Sequence, residues 1–528
     1  MLNDHILTWI LFLPALGAIV LALLPARGKL IQIWALLVSL ATFGLTLHLP
    51  AHFNYALHGF QFEINRAWIG NPPIRYHVGV DGLSMWLIVL TGILAPLGVL
   101  ASWRAIDHRA KEFYFLFLLQ QTAMLGVFVS LDLILYYAFW ELALVPMAIT
   151  IAMFGRDRGP RAAVKFFLYS FIPSALLLVA ILVLYARTGT FDFVELQASL
   201  AATQGLFSPA ALWWISLAFL AAFAVKVPVF PLHGWLGDVF SEAPTAMAMV
   251  VAGKLGLYSL IRFHLELFPA QARAIAPLMV ALAVIGILYG ALVALVQKDL
   301  KRLLGFATIS SLSFCTLGIY TFAINGLDGA VYHILNESLS AAAMLMLLGL
   351  MYERYGTYEI AAYGGLAAKA PHMTTLFVLT VLSLIGLPIL NGFVGEFLVL
   401  SSGLATHTGW GVAATIGVIL SASYMLWMVQ RVFYGPDSPM VDRQGLPGLK
   451  PDLVAREQIA LWPVAVLMLI MGVASPYWIR SIDGAMAPLS HAMHVHQHHG
   501  VLANSASTAA PASATTGSDP AATTMEAQ

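Results

Sequence analysis

Apolar runs of about twenty residues recur along nearly the whole chain, and they limit the folds that are open to it. A helix of ~20 apolar residues spans the ~30 Å hydrocarbon core of a bilayer, where a helix also satisfies its own backbone polar groups. Of the 528 residues, 60% are hydrophobic and 10% are charged. The sequence therefore predicts an all-α, polytopic membrane protein with about 14 transmembrane helices. The predicted membrane segments are residues 6–25, 30–49, 79–102, 113–131, 133–154, 164–187, 211–232, 244–264, 274–297, 301–322, 328–352, 371–403, 409–434 and 457–480.

The basic residues predict which side of the membrane each connection faces. An even number of segments puts both termini on one side. With the termini outside, the inner connections carry 18 of the 26 Lys and Arg residues and the outer connections carry six, as the positive-inside rule favours. Arg27 and Lys29 follow the first apolar run directly, and no small-residue cleavage signal is present, so this run is predicted to be the first membrane segment rather than a removable signal peptide.

Several function classes are excluded by what the sequence lacks. A single cysteine, Cys315, rules out a disulfide within the chain and an iron–sulfur cluster held by four of its own thiolates. No glycine-rich nucleotide fingerprint follows a strand pattern. We therefore expect no cofactor and no redox chemistry in this chain.

Ionisable residues within the predicted segments carry most of the functional information. Each would cost at least ~2.5–3.5 kcal/mol at a lipid-exposed helix centre, so each is expected to face the bundle interior, a partner or water. Any one of them could be a helix-packing ion pair, but acids and bases spread over at least five segments indicate a proton relay. The candidates are Glu141, Lys226, Lys254, His333, Glu337 and Glu396.

Two of the segments are predicted to be broken. Pro228 and Pro231 interrupt the seventh segment in "AFAVKVPVFPLHGWL", and Gly386, Pro388 and Gly392 interrupt the twelfth in "LIGLPILNGFVGE". A proline removes a backbone donor, and the groups that it frees must bind neighbours or water. Broken helices in corresponding parts of two halves indicate a transport site between inverted repeats, and the interval of five segments makes the two units opposite in orientation.

These features predict a division of the chain into five parts. Residues 1–110 form the first three segments, residues 111–265 the first five-helix repeat and residues 270–435 the second. Residues 436–484 form a loop and the fourteenth helix. Residues 485–528 are rich in Ala, Ser, Thr and Pro and are predicted to be a disordered external tail. Its "HAMHVHQHH" run could bind a transition metal weakly, but a solvated polar tail is the simpler interpretation, and no metal site is predicted.

Four stretches give the chain a specific resemblance. "DLILYYAFWELALVPM", "KVPVFPLHGWLGDVFSEAPTA", "QKDLKRLLGFATIS" and "GLPILNGFVGEFL" resemble the proton-pumping, antiporter-like membrane subunits of respiratory NADH-quinone oxidoreductase (complex I). The resemblance covers roughly residues 75–435. It implies a non-redox subunit of a proton-translocating enzyme, in the bacterial inner (cytoplasmic) membrane with both termini outside.

The resemblance also implies roles for the buried charges. Glu141 resembles the carboxylate that pairs with the lysine of the broken helix, Lys226. Lys254 resembles the central lysine of the eighth helix, and Glu396 resembles the terminal acid at the exit pathway. Separating Glu141 from Lys226 would make Lys226 a better proton donor. Supporting roles are expected for His233, Pro228, Pro388 and Lys298.

The chain departs from the family pattern along the lateral path between Lys254 and Glu396 that the resemblance implies. The family carries a histidine where Ser311 stands and another where Glu337 stands. His333 lies four residues before Glu337, hence on the same helix face, and could supply the missing imidazole. The departures indicate a divergent or impaired pump.

The resemblance places the redox groups and the contacts of the chain in other subunits. FMN, iron–sulfur clusters and quinone are expected in partner subunits, and neighbouring antiporter-like subunits and the lipid bilayer are the expected partners; nucleic acid is not. Two alternatives stay open: a subunit of a multisubunit cation/proton antiporter or membrane-bound hydrogenase, and a structural subunit that has lost pumping. A proton is preferred to sodium because lysines are poor ligands for a hard cation.

Overall fold

The computed structural model describes residues 2–25, 28–57, 59–203, 205–251, 254–442 and 451–508, and within them the chain is almost entirely helical. The longer helices pack side by side in a bundle, as α14 does on α15 and α16 does on α19. The α-helices are α1 Leu2–Leu23, α2 Gly28–Thr46, α3 His48–His52, α4 Met85–Ala101, α5 Ala110–Val129, α6 Leu133–Leu142, α7 Leu144–Phe154, α8 Gly159–Thr188, α9 Phe193–Ala202, α10 Pro209–Lys226, α11 Leu236–Glu242, α12 Thr245–Val251, α13 Lys254–Ser259, α14 Pro269–Leu295, α15 Leu300–Tyr320, α16 Ile324–Tyr355, α17 Leu366–Lys369, α18 Pro371–Leu384, α19 Asn391–Thr406, α20 Thr408–Phe433, α21 Pro439–Asp442, α22 Ala455–Val473 and α23 Pro476–Thr508. A π-helical turn spans Leu260–Leu265, and a 3₁₀ turn spans Ile360–Ala362.

The all-α, polytopic fold class is confirmed, and each of the fourteen predicted segments coincides with a helix or with two consecutive helices. Within the described residues, twelve helical stretches are long and apolar enough to cross a membrane. The other two segments are shorter: α4 has 17 residues, and the segment at 371–403 consists of α18 and α19.

Both predicted helix breaks are present. Helix α10 ends at Lys226, two residues before Pro228, and helical structure resumes at Leu236. The indole Nε1 of Trp235 donates to the carbonyl of Val225 at 2.9 Å, which satisfies one acceptor at the break. The second break separates α18 from α19. Within it Gly386 and Ile389 adopt left-handed backbone, with φ of 70° and 82°, so neither can continue the helix.

One feature recurs in the two predicted repeats. An isolated antiparallel bridge joins Asp132, at the start of α6, to Asp192, and another joins Asp299, at the start of α15, to Glu359. Arg156, just past the end of α7, binds Asp299 at 3.0 Å. Helix α15, the second helix of the second repeat, thus begins beside the end of α7, where the second membrane segment of the first repeat ends. If the two repeats have opposite orientations, the start of a helix in one repeat lies on the same side of the membrane as the end of its counterpart in the other. The contact fits this arrangement, and the inverted repeats themselves stay a prediction.

A β-hairpin precedes α4 that the sequence did not predict. Strands β1 Gln61–Ile69 and β2 Ile74–Val80 pair antiparallel, and the third segment begins at Met85 instead of residue 79. The buried His77 on β2 contacts Asp192 through Nδ1 and Glu63 through Nε2, the latter at 3.0 Å. Burial by itself would lower the pKa of His77, but its hydrogen bonds to the two carboxylates and their charges outweigh burial and raise the pKa.

The C-terminal part corrects one prediction. Disorder was expected from residue 485, but α23 runs from Pro476 to Thr508, so residues 485–508 are helical. The reason is an apolar face: Met486 and Met493 are buried, and the Ser490 hydroxyl donates to the carbonyl of Phe322 at 2.8 Å. Of the "HAMHVHQHH" run, His491 and His494 are exposed. No grouping that could hold a metal is present among the described residues, and residues 509–528 lie outside them.

Candidate functional site

Lys226 is the last residue of α10 and lies at the first helix break, with only 7% of its surface exposed. Its ammonium nitrogen lies 5.0 Å from the ring centroid of Phe166 and 5.6 Å from that of Trp140. Aromatic faces stabilise a desolvated cation by ~2 kcal/mol, less than water would. Lys226 is therefore held in place by two rings while its charge stays poorly compensated.

Glu141, which the resemblance pairs with this lysine, is not its ion-pair partner in this structure. It is the penultimate residue of α6 and accepts a hydrogen bond from the hydroxyl of Ser174 on α8. None of the ion pairs within 4 Å among the described residues includes Glu141 or Lys226. The predicted pair is thus separated here, with Glu141 bound to a hydroxyl.

Lys254 begins α13 and is completely buried. Its only described hydrogen bond is a long one, 3.5 Å, to the carbonyl of Met249. Two residues later, Gly256 packs on the backbone at the first break. A Cβ atom at Gly256 would lie 2.6 Å from the amide nitrogen of Val227 and 2.9 Å from Cβ of Lys226. The helix of the second lysine therefore touches the backbone of the first.

A second group of buried side chains lies where α15 meets α16. Glu337 accepts a hydrogen bond from the hydroxyl of Thr308 at 3.0 Å, and its other oxygen has no partner among the described residues. One turn earlier, Nε2 of His333 lies 2.8 Å from the hydroxyl of Ser311. The imidazole of His333 therefore contacts Ser311, while its role in place of a family histidine stays a prediction.

Glu337 and Glu396 line one cavity between α15, α16, α19 and α20. Its volume is about 20 Å³, enough for one water molecule. Hydroxyl groups line it together with apolar side chains, so a water molecule in it would have both carboxylates and several hydroxyls on its wall. The other polar residues on its wall are Thr308, Ser310, Ser311, Ser421 and Tyr424.

The second helix break positions Glu396. A Cβ atom at Gly386 would fall on the carboxylate of Glu396, so this glycine leaves the space that the carboxylate occupies. One residue before Glu396, Gly395 packs against α16: a Cβ atom there would lie 2.7 Å from Cβ of His333. The absence of two side chains therefore brings the helix of Glu396 close to the helix of His333 and Glu337.

The four predicted supporting residues divide into two groups. Pro228 and Pro388 lie in the two breaks, as predicted. His233 is buried in the first break against the rings of Phe230 and Tyr289, 5.3 and 4.9 Å away between centroids. Lys298, by contrast, is exposed in the connection between α14 and α15 and is not brought to the buried groups.

Sequence reasoning missed a polar network at the second break. Asn391 begins α19, and its amide donates to the carbonyl of Asn336 at 3.2 Å and to the hydroxyl of Ser340 at 3.3 Å. Ser383, the penultimate residue of α18, donates to Asn391 at 2.5 Å. The network ties the two sides of the break to α16. Asn391 directly follows the interrupted stretch, and that position was the available signal.

Two further charged clusters were also missed. Lys301, almost fully buried on α15, donates to the carbonyl of Ala243 at 2.5 Å. Arg262, in the π-helical turn that follows α13, binds Asp81 and, at 2.9 Å, Glu266. Asp81, Arg262 and Glu266 line a cavity of about 490 Å³ that α23 borders. Apolar-run counting placed Lys301 and Arg262 at segment ends, so it gave no reason to expect their burial.

Comparison with known proteins places the chain among membrane subunits of respiratory enzymes. The family described as "NADH:quinone oxidoreductase/Mrp antiporter, TM" matches residues 130–421, and "NADH-ubiquinone oxidoreductase chain 4, amino terminus" matches residues 10–131. NADH-quinone oxidoreductase subunit M of Rhodobacter capsulatus is 37% identical over 487 residues, covering 89% of this chain and 93% of that protein. Chain 4 of Arabidopsis thaliana is 34% identical over 480 residues, covering 88% and 93%.

Solved structures agree with this placement. A chain of respiratory complex I from Thermus thermophilus superposes with a TM-score of 0.82 at 30% identity, covering 92% of this chain and 98% of that one. A chain of the Mrp complex from Dietzia sp. DQ12-45-1b has a TM-score of 0.79 at 20% identity, covering 93% and 98%, which shows a shared fold alone.

Proposed function

This chain belongs to the NADH:quinone oxidoreductase/Mrp antiporter family, among the subunit M proteins of NADH-quinone oxidoreductase (complex I), and from that premise we propose that it translocates protons. The protons pass through buried Glu, Lys and His side chains. Quinone is reduced elsewhere in the complex, and this chain contributes no redox chemistry.

The cavity that Glu337 and Glu396 share is the observation that carries the proposal. A purely structural role would favour pairing each buried charge with an opposite charge, because an uncompensated charge within a membrane is costly. Here two acids instead meet at a space of water size with hydroxyls on its wall. Such an arrangement lets a proton pass from one carboxylate to the other.

The separation of Glu141 from Lys226 supports a switch at the first break. When the carboxylate is close, it stabilises the ammonium form of the lysine; when it turns to Ser174, that support is weaker and the lysine releases its proton more readily. The proton then moves by way of Lys254 toward Glu337 and Glu396. His333 and Ser311 form a second hydrogen-bonded route beside that path.

Other membrane subunits of the complex, including antiporter-like ones, are the partners of this chain, in the bacterial inner membrane with both termini outside. A subunit of a cation/proton antiporter is the second candidate, since the fold is shared with the Mrp complex chain. The identity of 37% to a subunit M favours the first.

The test compares Lys226→Ala and Glu141→Ala with Lys29→Ala, which removes an exposed lysine at the start of α2. Each variant complex is reconstituted in vesicles, and proton flux and quinone reductase activity are measured per intact complex. We expect the first two variants to lose proton flux and coupled quinone reduction together, because each removes half of the switch, and Lys29→Ala to match the wild type.

Wild-type flux in both assembled switch variants would refute the assignment. Repeating the assay without sodium separates the two candidates. Proton flux that depends on NADH oxidation and persists without sodium fits the first, whereas flux that needs sodium and not NADH fits the antiporter.

A further inference from the structure

Two adjacent glutamines on α5, Gln120 and Gln121, are buried in the bundle with 1% and 0% of their surfaces exposed. All four of their side-chain amide atoms lack a hydrogen-bond partner among the described residues. Each buried polar group without a partner costs ~1–3 kcal/mol, so these amides require partners that the side chains and backbone of the described residues do not supply. Water is the remaining partner for buried groups of this kind.

Only one of the two amides shares a space with the proposed switch. Gln120 and Lys226 line the same cavity, whereas Gln121 does not, because consecutive helix residues point about 100° apart. The volume of this cavity is about 10 Å³, which is about the minimum for a single water molecule. The rest of the wall is apolar or backbone, from Ala143, Phe166, Trp235, Leu255 and Gly256.

We propose that Gln120 holds one water molecule against the amino group of Lys226, and that Lys226 gains and loses its proton through this water. The inference rests on the proposed function and adds to it the immediate proton partner of the switch lysine. Gln120 is a positioning residue, because it orients the water and does not itself titrate.

A carboxamide fits this task because it both donates and accepts. When Lys226 is an ammonium ion, it donates to the water oxygen, and the water donates to Oε1 of Gln120. When Lys226 is a neutral amine, it accepts from the water, and Nε2 of Gln120 donates to the water oxygen. The same water is therefore held in both protonation states. Glutamate or lysine at this position would favour one state over the other.

The proton transfer balances over Lys226, the water molecule and the next group on the proposed path. As one N–H bond of the Lys226 ammonium breaks, its proton bonds to the water oxygen, and one of the water's own O–H bonds breaks as that proton leaves for the neutral amine of Lys254, the next group on the proposed path. The water is unchanged at the end of the step. To reload Lys226, a proton that arrives from the entry side bonds to the oxygen of the same water, and the water passes one of its own protons to the neutral amine.

The neighbouring glutamine provides a matched control. Gln120→Met and Gln121→Met each remove a buried, unpartnered amide from the same turn of α5 and keep an unbranched side chain of similar length. Only the first removes an amide from the lysine cavity. Gln120→Asn retains a carboxamide and enlarges the cavity by about one methylene group, which leaves room for water.

Proton flux per intact complex is measured for all three variants in H₂O and in D₂O. We expect Gln120→Met to lower the flux about tenfold or more and to change the solvent isotope effect, because the water loses its orientation. Gln121→Met should stay within about twofold of the wild type, and Gln120→Asn should keep most of the flux and the wild-type isotope effect.

Equal losses in the two methionine variants would overturn the inference in favour of a shared packing role, and so would normal flux in Gln120→Met. The parallel Lys226→Ala measurement distinguishes this failure from that of the proposed function. Loss in Lys226→Ala with normal flux in Gln120→Met refutes only the role of Gln120. Normal flux in both refutes the switch as well.

Discussion

Replacing Gly386 with alanine should displace the carboxylate of Glu396 while leaving the rest of the second break intact. Gly386 has a φ of 70°, and a Cβ atom there would fall on Oε2 of Glu396 and lie 3.0 Å from its Cδ. Gly356, which ends α16, has nearly the same backbone conformation, with a φ of 74°, but open space around its Cβ position. Gly356→Ala is therefore the control for backbone strain alone.

The two substitutions share one cost and differ in another. An L-residue in left-handed backbone costs roughly 1–2 kcal/mol, so both variants should lose about this much stability. In Gly386→Ala the Glu396 carboxylate must in addition retreat by about 1 Å to reach ordinary van der Waals contact, and a misplacement of ~1 Å in a positioned group can cost on the order of 100-fold in rate. We expect Gly386→Ala to lower proton flux between about 10- and 100-fold and Gly356→Ala to leave it within about twofold.

The assay measures proton flux per intact complex together with the thermal unfolding midpoint of each variant. Similar midpoints with a selective loss of flux in Gly386→Ala would support a positioned Glu396. Equal flux in the two variants would refute the reasoning, since the glycine would then matter only as a C-terminal helix stop. A selective fall in the midpoint of Gly386→Ala would show that the backbone, not the carboxylate, moves.

Three further predictions concern other parts of the chain. His333→Ala and Glu337→Ala should each lower proton flux per intact complex, whereas Ser311→Ala should matter less, because a serine only passes protons along an existing chain; normal flux in the first two would remove both from the path. The pKa of His77 is raised in the folded protein, so the stability that its protonated form contributes is fully present below about pH 6.5 and is lost as the pH rises through the folded pKa. His77→Gln should therefore reduce the change in unfolding midpoint across that pH range, and an unchanged pH profile would contradict this. Arg354→Met removes the 2.5 Å ion pair of the buried Glu457, which keeps only a longer contact of 3.6 Å with Arg456, and should cost about 3–5 kcal/mol, seen as a lower unfolding midpoint; also replacing Glu457 with leucine should recover part of the loss.

The breaks and the buried ionisable groups could be predicted because their physics is local. Proline at 228 and 388 interrupts a helix wherever it is placed, and a lysine or glutamate within an apolar run must find a polar environment. Whether Glu141 and Lys226 touch was not predictable, because contact depends on how α6, α8 and α10 pack. The same holds for the cavity that joins Glu337 and Glu396.

The failed predictions have physical reasons of their own. Composition averaged over residues 485–528 concealed the spacing of Met486 and Met493, whose side chains share one buried face of α23. The β-hairpin lies between two apolar runs, where counting such runs gives no information. Gln120 carries no charge and sits in a run typical of a membrane helix, so only its burial without a partner distinguishes it.

The contact at Gly256 has a consequence for how this part of the molecule moves. Since not even a methyl group fits between α13 and the backbone of Lys226 and Val227, α13 cannot move closer to that backbone, and the two lie in direct contact. We expect the stems of Lys226 and Lys254 to move together. Opening and closing of the route between them must come from rotation of their side-chain ends or from the non-helical residues 227–235, and a spin label on α13 and another on α10 would keep a constant distance through turnover.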